Sequence, residues 1–183
     1  LQGNPWRETR ARQACPPHEG PIRVILGPQD DHFTDAALQA FVQQPYRVTR
    51  DSDRMGMRLD GSPLSHNARG ADIVSDGVTP GSIQVPANGQ PIVLLADSQT
   101  VGGYPKIATV ISADLPRLAH LRPGARLRFQ LVTGAEARQA LQAQRQAWMQ
   151  WLASRESFLP PGFIDEQALY SCNLVSGMLR AEL

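Results

Sequence analysis

The rhythm of apolar and polar positions predicts a β-rich chain that ends in a long helix. Ile22 to Leu26 is a mostly β-branched apolar run stopped by Gly27-Pro28, which reads as a strand. Thr34 followed by Asp35 has the form of a helix N-cap, and Ala36, Leu38, Phe41 and Val42 then recur at helical spacing until Pro45. Tyr46 to Thr49 alternates as a strand. From Asp51 to Gly81 the chain is rich in Asp, Ser, Gly and Arg, with short strands expected around Met57–Leu59 and Ile73–Ser75. Ser82–Val85 and Pro91–Leu95 flank Pro86-Ala87-Asn88-Gly89, whose Asn-Gly step is a strong hairpin signal. Lys106–Ile111 is a further strand. Asp114 is placed to cap a short helix, Leu115–Leu121, with Pro116 near its start. After the Pro123-Gly124 turn, Leu127, Phe129 and Leu131 alternate as a strand.

The texture changes at Gly134. Ala135 to Arg155 is rich in Ala, Gln and Arg, free of Gly and Pro, and carries Ala137, Leu141, Trp148, Trp151 and Leu152 on one stripe. The expected organisation is an irregular arm or linker remnant over 1–21, a mainly β domain over 22–133, a long helix within 134–158 and a tail over 159–183. A helix from Glu166 is expected in that tail. Many short strands with Gly/Pro turns suggest a barrel or a sandwich.

Charge narrows the function classes. The 183 residues carry 18 basic and 17 acidic side chains, a net charge of +1, without the basic excess of an electrostatic nucleic-acid binder. All but one of the basic residues are arginine, and Lys106 is the only lysine. The apolar run Pro91 to Ala96 is far shorter than the roughly 20 residues that cross a bilayer, so no membrane association is expected. No charged-then-apolar leader opens the chain, and the first residue is not Met, so the sequence is expected to be processed or cut from a longer one. Cys15 and Cys172 lack CxxC spacing and read as incidental thiols of a cytoplasmic protein, with a disulfide between them left open. His18, His32, His66 and His120 form no ligand pair, so no metal site is expected.

Candidate chemistry concentrates between residues 84 and 106, in QVPANGQPIVLLADSQTVGGYPK. Gln84, Asn88, Gln90, Asp97, Gln99 and Thr100 crowd the ends of apolar strands, where burying them without partners is costly. Their plainer role is to bond turns and cap strand ends. The functional alternative is recognition of a small amide- or urea-like group, since carboxamides both donate and accept. Gly102 and Gly103 allow a close backbone approach or a turn, Tyr104 would wall a pocket, and Lys106 would bring a cation. Arg54, within Asp51-Ser52-Asp53-Arg54-Met55-Gly56, is suited to a carboxylate or phosphate, or to a neighbouring Asp51 or Asp53. The phosphate loop GxxxxGK and the GxSxG elbow are absent.

DSDRMGMRLDG at 51–61, followed by SDGVTPGSIQVPANGQPIVLLADSQTVGGYPKIATVISADLPRLAHLRPG at 75–124, resembles the C-terminal half of the biotin-dependent carboxyltransferase family. That family includes allophanate hydrolase subunit 2-like proteins, KipA, the C subunit of the ATP-dependent 5-oxoprolinase and the carboxyltransferase domain of urea carboxylase. The resemblance covers about residues 20–150 and departs at Met57, where an aromatic is common, and at Val101, where Thr is common. It implies cyclophilin-like β-barrels and a missing N-terminal half.

By resemblance, the leading expectation is one component of an enzyme complex that opens 5-oxoproline to glutamate with ATP. Its partners would be the A and B subunits of that complex, the latter KipI-like. Arg54, Asp97 and Lys106 are then the expected catalytic residues. Gln84, Asn88, Gln90, Gln99, Thr100, Gly102, Gly103 and Tyr104 would bind the small polar amide. The alternatives are carboxyl transfer from carboxybiotin to urea, and a KipA-like regulatory binding protein using the Trp148/Trp151 stripe.

Overall fold

The computed structural model describes residues 9–11 and 20–157. The chain divides into two compact units, Pro16–Ala147 and Leu1–Cys15 with Trp148–Leu183. Cys15, Cys172 and the helix expected from Glu166 lie outside the described residues.

The larger unit is built on one eight-stranded sheet. Its strands are β2 (Ile22–Leu26), β3 (Tyr46–Val48), β4 (Gly56–Asp60), β6 (Ser82–Gln84), β7 (Ile92–Leu94), β9 (Lys106–Val110), β10 (Arg126–Leu127) and β11 (Phe129–Leu131). They run in the order β10-β3-β4-β7-β6-β9-β2-β11. All neighbours are antiparallel except β11 with β2. The two edge strands are separated in the chain by Arg128 alone. Arg126 and Leu127 pair with β3, while Phe129 to Leu131 pair with β2, so one short segment closes both edges into a nearly complete barrel. Closure removes the unpaired edge that an open sheet would present.

The barrel interior follows the alternation in the sequence. Val24, Val48, Leu59, Ile83, Val93, Ile107 and Phe129 are buried, while Arg47 and Arg58 between them face out. Helix α1 (Asp35–Gln43) starts at Thr34, whose hydroxyl accepts from Ala37 N at 3.1 Å. It buries Ala37 and Phe41, and Phe41 stacks on Phe129 with ring centroids 4.7 Å apart. Tyr46 leans on both rings, and burial pushes its phenol up to about 12.

Several boundaries differ from the sequence pattern, each for a local reason. No strand forms at Ile73–Ser75. The ladder lies one step on, as β5 (Asp76–Gly77) paired with β8 (Val101–Gly102), and Val74 is left 93% exposed. The Asp114 side chain does not cap helix α2 (Leu115–Leu118), which also ends before Leu121. That carboxylate is buried and accepts from Arg23 instead, at 2.8 Å from its backbone N and 2.7 Å from Nη2. In the smaller unit, β1 (Thr9–Ala11), within a segment expected to be irregular, pairs with β12 (Arg155–Ser157). Helix α3 (Gly134–Ala153) therefore stops short of Arg155.

Helix α3 opens with Thr133 and Glu136 in a reciprocal cap: Thr133 N donates to Glu136 Oε2 at 2.7 Å and Glu136 N to Thr133 Oγ1 at 3.2 Å. Ala137 and Leu141 on the expected stripe are half-buried, whereas Trp148 and Leu152 are exposed. Trp148 meets Trp151 edge-on at 5.7 Å.

Gly27 marks the tightest backbone approach in the barrel. A Cβ there would sit 2.1 Å from the Lys106 carbonyl oxygen and 3.0 Å from Ala108 N. Gly27→Ala is expected to destabilise the fold by about 2 kcal/mol through this overpacking. Urea unfolding reads it as a lowered midpoint, and an unchanged midpoint would refute the close approach.

Candidate functional site

The catalytic and binding residues expected from the sequence fall into two clusters and a hairpin. The first cluster is built on β6 and β9, where Gln84 and Lys106 are register partners at a β-bulge, one residue on from the Ile83–Ala108 pair. Both are buried, at 2% and 3% exposure. Lys106 Nζ meets Asp76 Oδ2 at 2.6 Å and donates to Gly77 O at 3.1 Å. Gln29, from the turn after β2, donates from Nε2 to the same Asp76 oxygen at 3.2 Å, and its Oε1 accepts from Lys106 N. Asp76 Oδ1 accepts from Gly77 N. The Lys106 ammonium, the Gln29 amide and the Gly77 N–H together hold the Asp76 carboxyl below its usual range. Gln84 Nε2 donates to Tyr104 O at 3.3 Å. A Cβ on Gly102 would lie 2.4 Å from that Nε2, so the missing side chain at 102 makes room for the amide.

The second cluster lies where β4 begins and its neighbour β7 ends, beside the Gly56–Leu94 pair. Arg54 Nε pairs with Asp97 Oδ2 at 2.8 Å, and Asp97 N donates to Arg54 O at 3.3 Å. Arg54 thus pairs with the segment after the neighbouring strand rather than with Asp51 or Asp53. Asp53 instead accepts from Met55 N and Gly56 N, and these two N–H groups hold its carboxyl below the usual range. The Arg54 side chain is 88% exposed, and among the described residues its two terminal nitrogens have no partner. Beside the pair opens a cavity of about 660 Å³, walled chiefly by Val48, Met57, Leu94, Leu95, Leu118 and Leu121. That volume is in the range of small-molecule sites. The arrangement offers an apolar chamber with a cation and a carboxylate at its rim.

The remaining expected residues sit elsewhere. Gln90 forms a two-way bond with Gly61, donating to Gly61 O at 3.0 Å and accepting from Gly61 N at 3.1 Å. Asn88 accepts from Gln90 N inside the hairpin turn. These contacts extend β4 and fix the hairpin. Gln99 and Thr100 are exposed, and the Thr100 carbonyl accepts from Val78 N. Gly103 O accepts from Ile73 N, and Tyr104 is 41% exposed.

Sequence reasoning missed Gln29 and Asp76. Gln29 lies in a turn and Asp76 at the start of the two-residue strand β5, and their separation from Lys106 along the chain hides the contact. Among the described residues, no group of His, Cys, Asp and Glu side chains is placed to hold a metal ion. No helix among them is long and apolar enough to cross a membrane.

Comparison with known proteins bears on the fold and the family. The family model "carboxyltransferase domain, subdomain A and B" matches residues 2–131. The chain is 41% identical over 129 residues to the 5-oxoprolinase C subunit of Escherichia coli, covering 70% of this chain and 41% of that protein. It is 40% identical over 116 residues to the protein of the same name in Haemophilus influenzae, covering 63% of this chain and 37% of that one. The chain thus spans about two fifths of the length of these relatives. The crystal structure of Kluyveromyces lactis urea carboxylase superposes with a TM-score of 0.68 at 22% identity, over 74% of this chain and 13% of that one, which shows the fold. A barrel closed by one segment, a matching family model and relatives at 40% identity converge: this protein belongs to the carboxyltransferase-domain family.

Proposed function

We propose that this chain is the C-terminal half of a protein like the 5-oxoprolinase C subunit, acting in a cytoplasmic complex that opens 5-oxoproline to glutamate. The observation that carries this reading is the 41% identity to that Escherichia coli protein over 129 residues. In the proposed reaction the lactam C–N bond breaks and one water adds across it. ATP passes its γ-phosphoryl group by way of the amide oxygen to a second water, leaving ADP and phosphate.

A lactam carbonyl is a poor electrophile, so the site must stabilise negative charge as it develops on oxygen. Lys106 supplies a buried cation for that purpose, with Gln84 beside it to orient the amide. Arg54, whose terminal nitrogens have no partner among the described residues, is assigned to a phosphoryl or carboxylate oxygen, and Asp97 to base catalysis. The two clusters are separate in this chain. The rest of the site is assigned to the N-terminal half and to the partner A and B subunits, the latter KipI-like. ATP is treated as a co-substrate held largely by those partners, since this sequence has no phosphate-cradling loop.

The test is reconstitution of the full-length protein with both partners, assayed for glutamate formed from 5-oxoproline. ATP-dependent glutamate is expected. Carboxylation of urea with a biotin carrier and carboxylase, with no glutamate formed, would replace this reading with the carboxyltransferase one.

A further inference from the structure

The β5–β8 ribbon that covers Lys106 is joined to the barrel in an unusual way. Its arms bond chiefly to each other: Asp76 pairs with Gly102, Gly77 with Val101, Val78 N donates to Thr100 O, and Ile73 N to Gly103 O. Among the described residues, every hydrogen bond or ion pair that runs from arms 71–78 and 100–103 to the barrel ends on Lys106 or Gln29. One arm is bracketed by Gly70 and Gly81, at φ of 82° and 91°, conformations open to glycine. The other carries Gly102-Gly103. The ribbon also exposes Val74 and Val101 to solvent.

A buried ammonium in this position needs an anion, and the one it has comes from a half-exposed carboxylate on a glycine-bracketed ribbon. We propose that Lys106 Nζ and Gln29 Nε2 form an oxyanion seat that Asp76 fills in this structure, and that a ligand carboxylate or phosphoryl oxygen enters by displacing Asp76. This inference rests on the role given above to Lys106. It adds Gln29 as a second donor, Asp76 as the competing occupant and the ribbon as the element that must move. Asp76 Oδ2 stands where the ligand oxygen would bind, 2.6 Å from the ammonium and 3.2 Å from the amide. The seat is specific for an oxyanion because both groups donate. The Gln84 amide packs at Gly102, the register partner of Asp76, and would face the remainder of the ligand.

A plug of this kind lowers the apparent affinity of the seat by the fraction of molecules in which it is open. Removing the plug charge should therefore raise oxyanion affinity. The experiment titrates the full-length protein with inorganic phosphate and, separately, with acetate, following backbone and Gln29 side-chain amide signals. Asp76→Asn is expected to bind one of the two anions about tenfold more tightly than the wild type or better. The anion that gains identifies the ligand group as phosphoryl or carboxylate. Adding Lys106→Met to Asp76→Asn is expected to abolish binding. Equal affinity in wild type and Asp76→Asn, or binding retained in the double variant, overturns the proposal.

If Asp76→Asn does not fold, the wild type decides. Saturating anion must then shift the Asp76 and Gly77 amide signals, because Gly77 N donates to the displaced carboxylate, and unshifted signals refute the seat. Glutamate formation by the reconstituted wild-type complex is scored independently. Anion binding without turnover would remove the 5-oxoprolinase reading alone, and turnover without anion competition would remove the seat alone.

Discussion

Asp114→Ala is expected to lower the unfolding free energy by about 3–5 kcal/mol, the usual loss when one member of a buried ion pair is removed. Asp114 is fully buried, and its two oxygens serve three groups. Oδ2 accepts from Arg23 N at 2.8 Å and Arg23 Nε at 3.0 Å, and lies 3.3 Å from Arg117 Nη1, while Oδ1 takes Arg23 Nη2 at 2.7 Å. The truncated site would strand a backbone N–H at the start of β2 and the Arg23 guanidinium beside a cavity, while Arg117 keeps the Pro21 and Gly20 carbonyls. Strand β2 is the partner of both β9 and β11, so the damage falls on the seam that closes the barrel. At roughly 4 °C per kcal/mol for a domain of this size, calorimetry should read a fall in Tm of more than 10 °C. A fall of less than 3 °C, about 1 kcal/mol, would show that this pair contributes little.

The same carboxylate sets an acid limit. Burial alone would raise its pKa, but the hydrogen bonds from the Arg23 side chain and backbone and the charges of Arg23 and Arg117 outweigh it and hold the group below the carboxylate range. A native pKa below the unfolded one, about 3.9, means the folded state binds its proton less readily. The stabilisation is thus complete above about pH 4 and drains away as pH falls through the depressed native value. Asp114→Ala should flatten that acid limb of the stability curve.

Lys106→Met is expected to cut glutamate formation by the reconstituted complex about 10²- to 10³-fold, the scale of losing one preorganised charge at a developing oxyanion. The fold should survive. Methionine matches the length of the lysine stem, Lys106 is buried, and Asp76 is half-exposed and can hydrate. Loss of turnover with unchanged Tm would place Lys106 in the reaction. Full turnover would remove it from the site.

Much of the fold was legible because period and punctuation agree with the barrel. The run Ile22–Leu26, the Thr34 cap, the Asn88-Gly89 hairpin and the glycine-free stretch after Gly134 all appear where the pattern places them, to within a residue or two. The errors share a cause. Asp114 has the local form of a helix cap, but Arg23 lies 91 positions away in the chain and its guanidinium offers a stronger partner than a free N–H. Ile73–Ser75 has the composition of a strand, but pairing is decided by which residues meet Val101–Gly102.

The candidate site divides in the same way. Residues 84–106 were identifiable as a polar cluster because amides and charges between apolar strands demand partners. Which partners they find is decided by the closed barrel. Gln90 is taken by Gly61, Arg54 by Asp97, and Lys106 by Asp76 and Gly77.

By itself the sequence determined the strand and helix content, the near-neutral charge and the location of the polar cluster, because these depend on local composition and spacing. The tertiary structure alone decided that Arg126–Leu131 closes both edges of the sheet, that the polar cluster is split in two, and that the only lysine is buried beneath a carboxylate from the β5–β8 ribbon. Those outcomes depend on contacts between residues far apart in the chain, and local pattern carries no record of them.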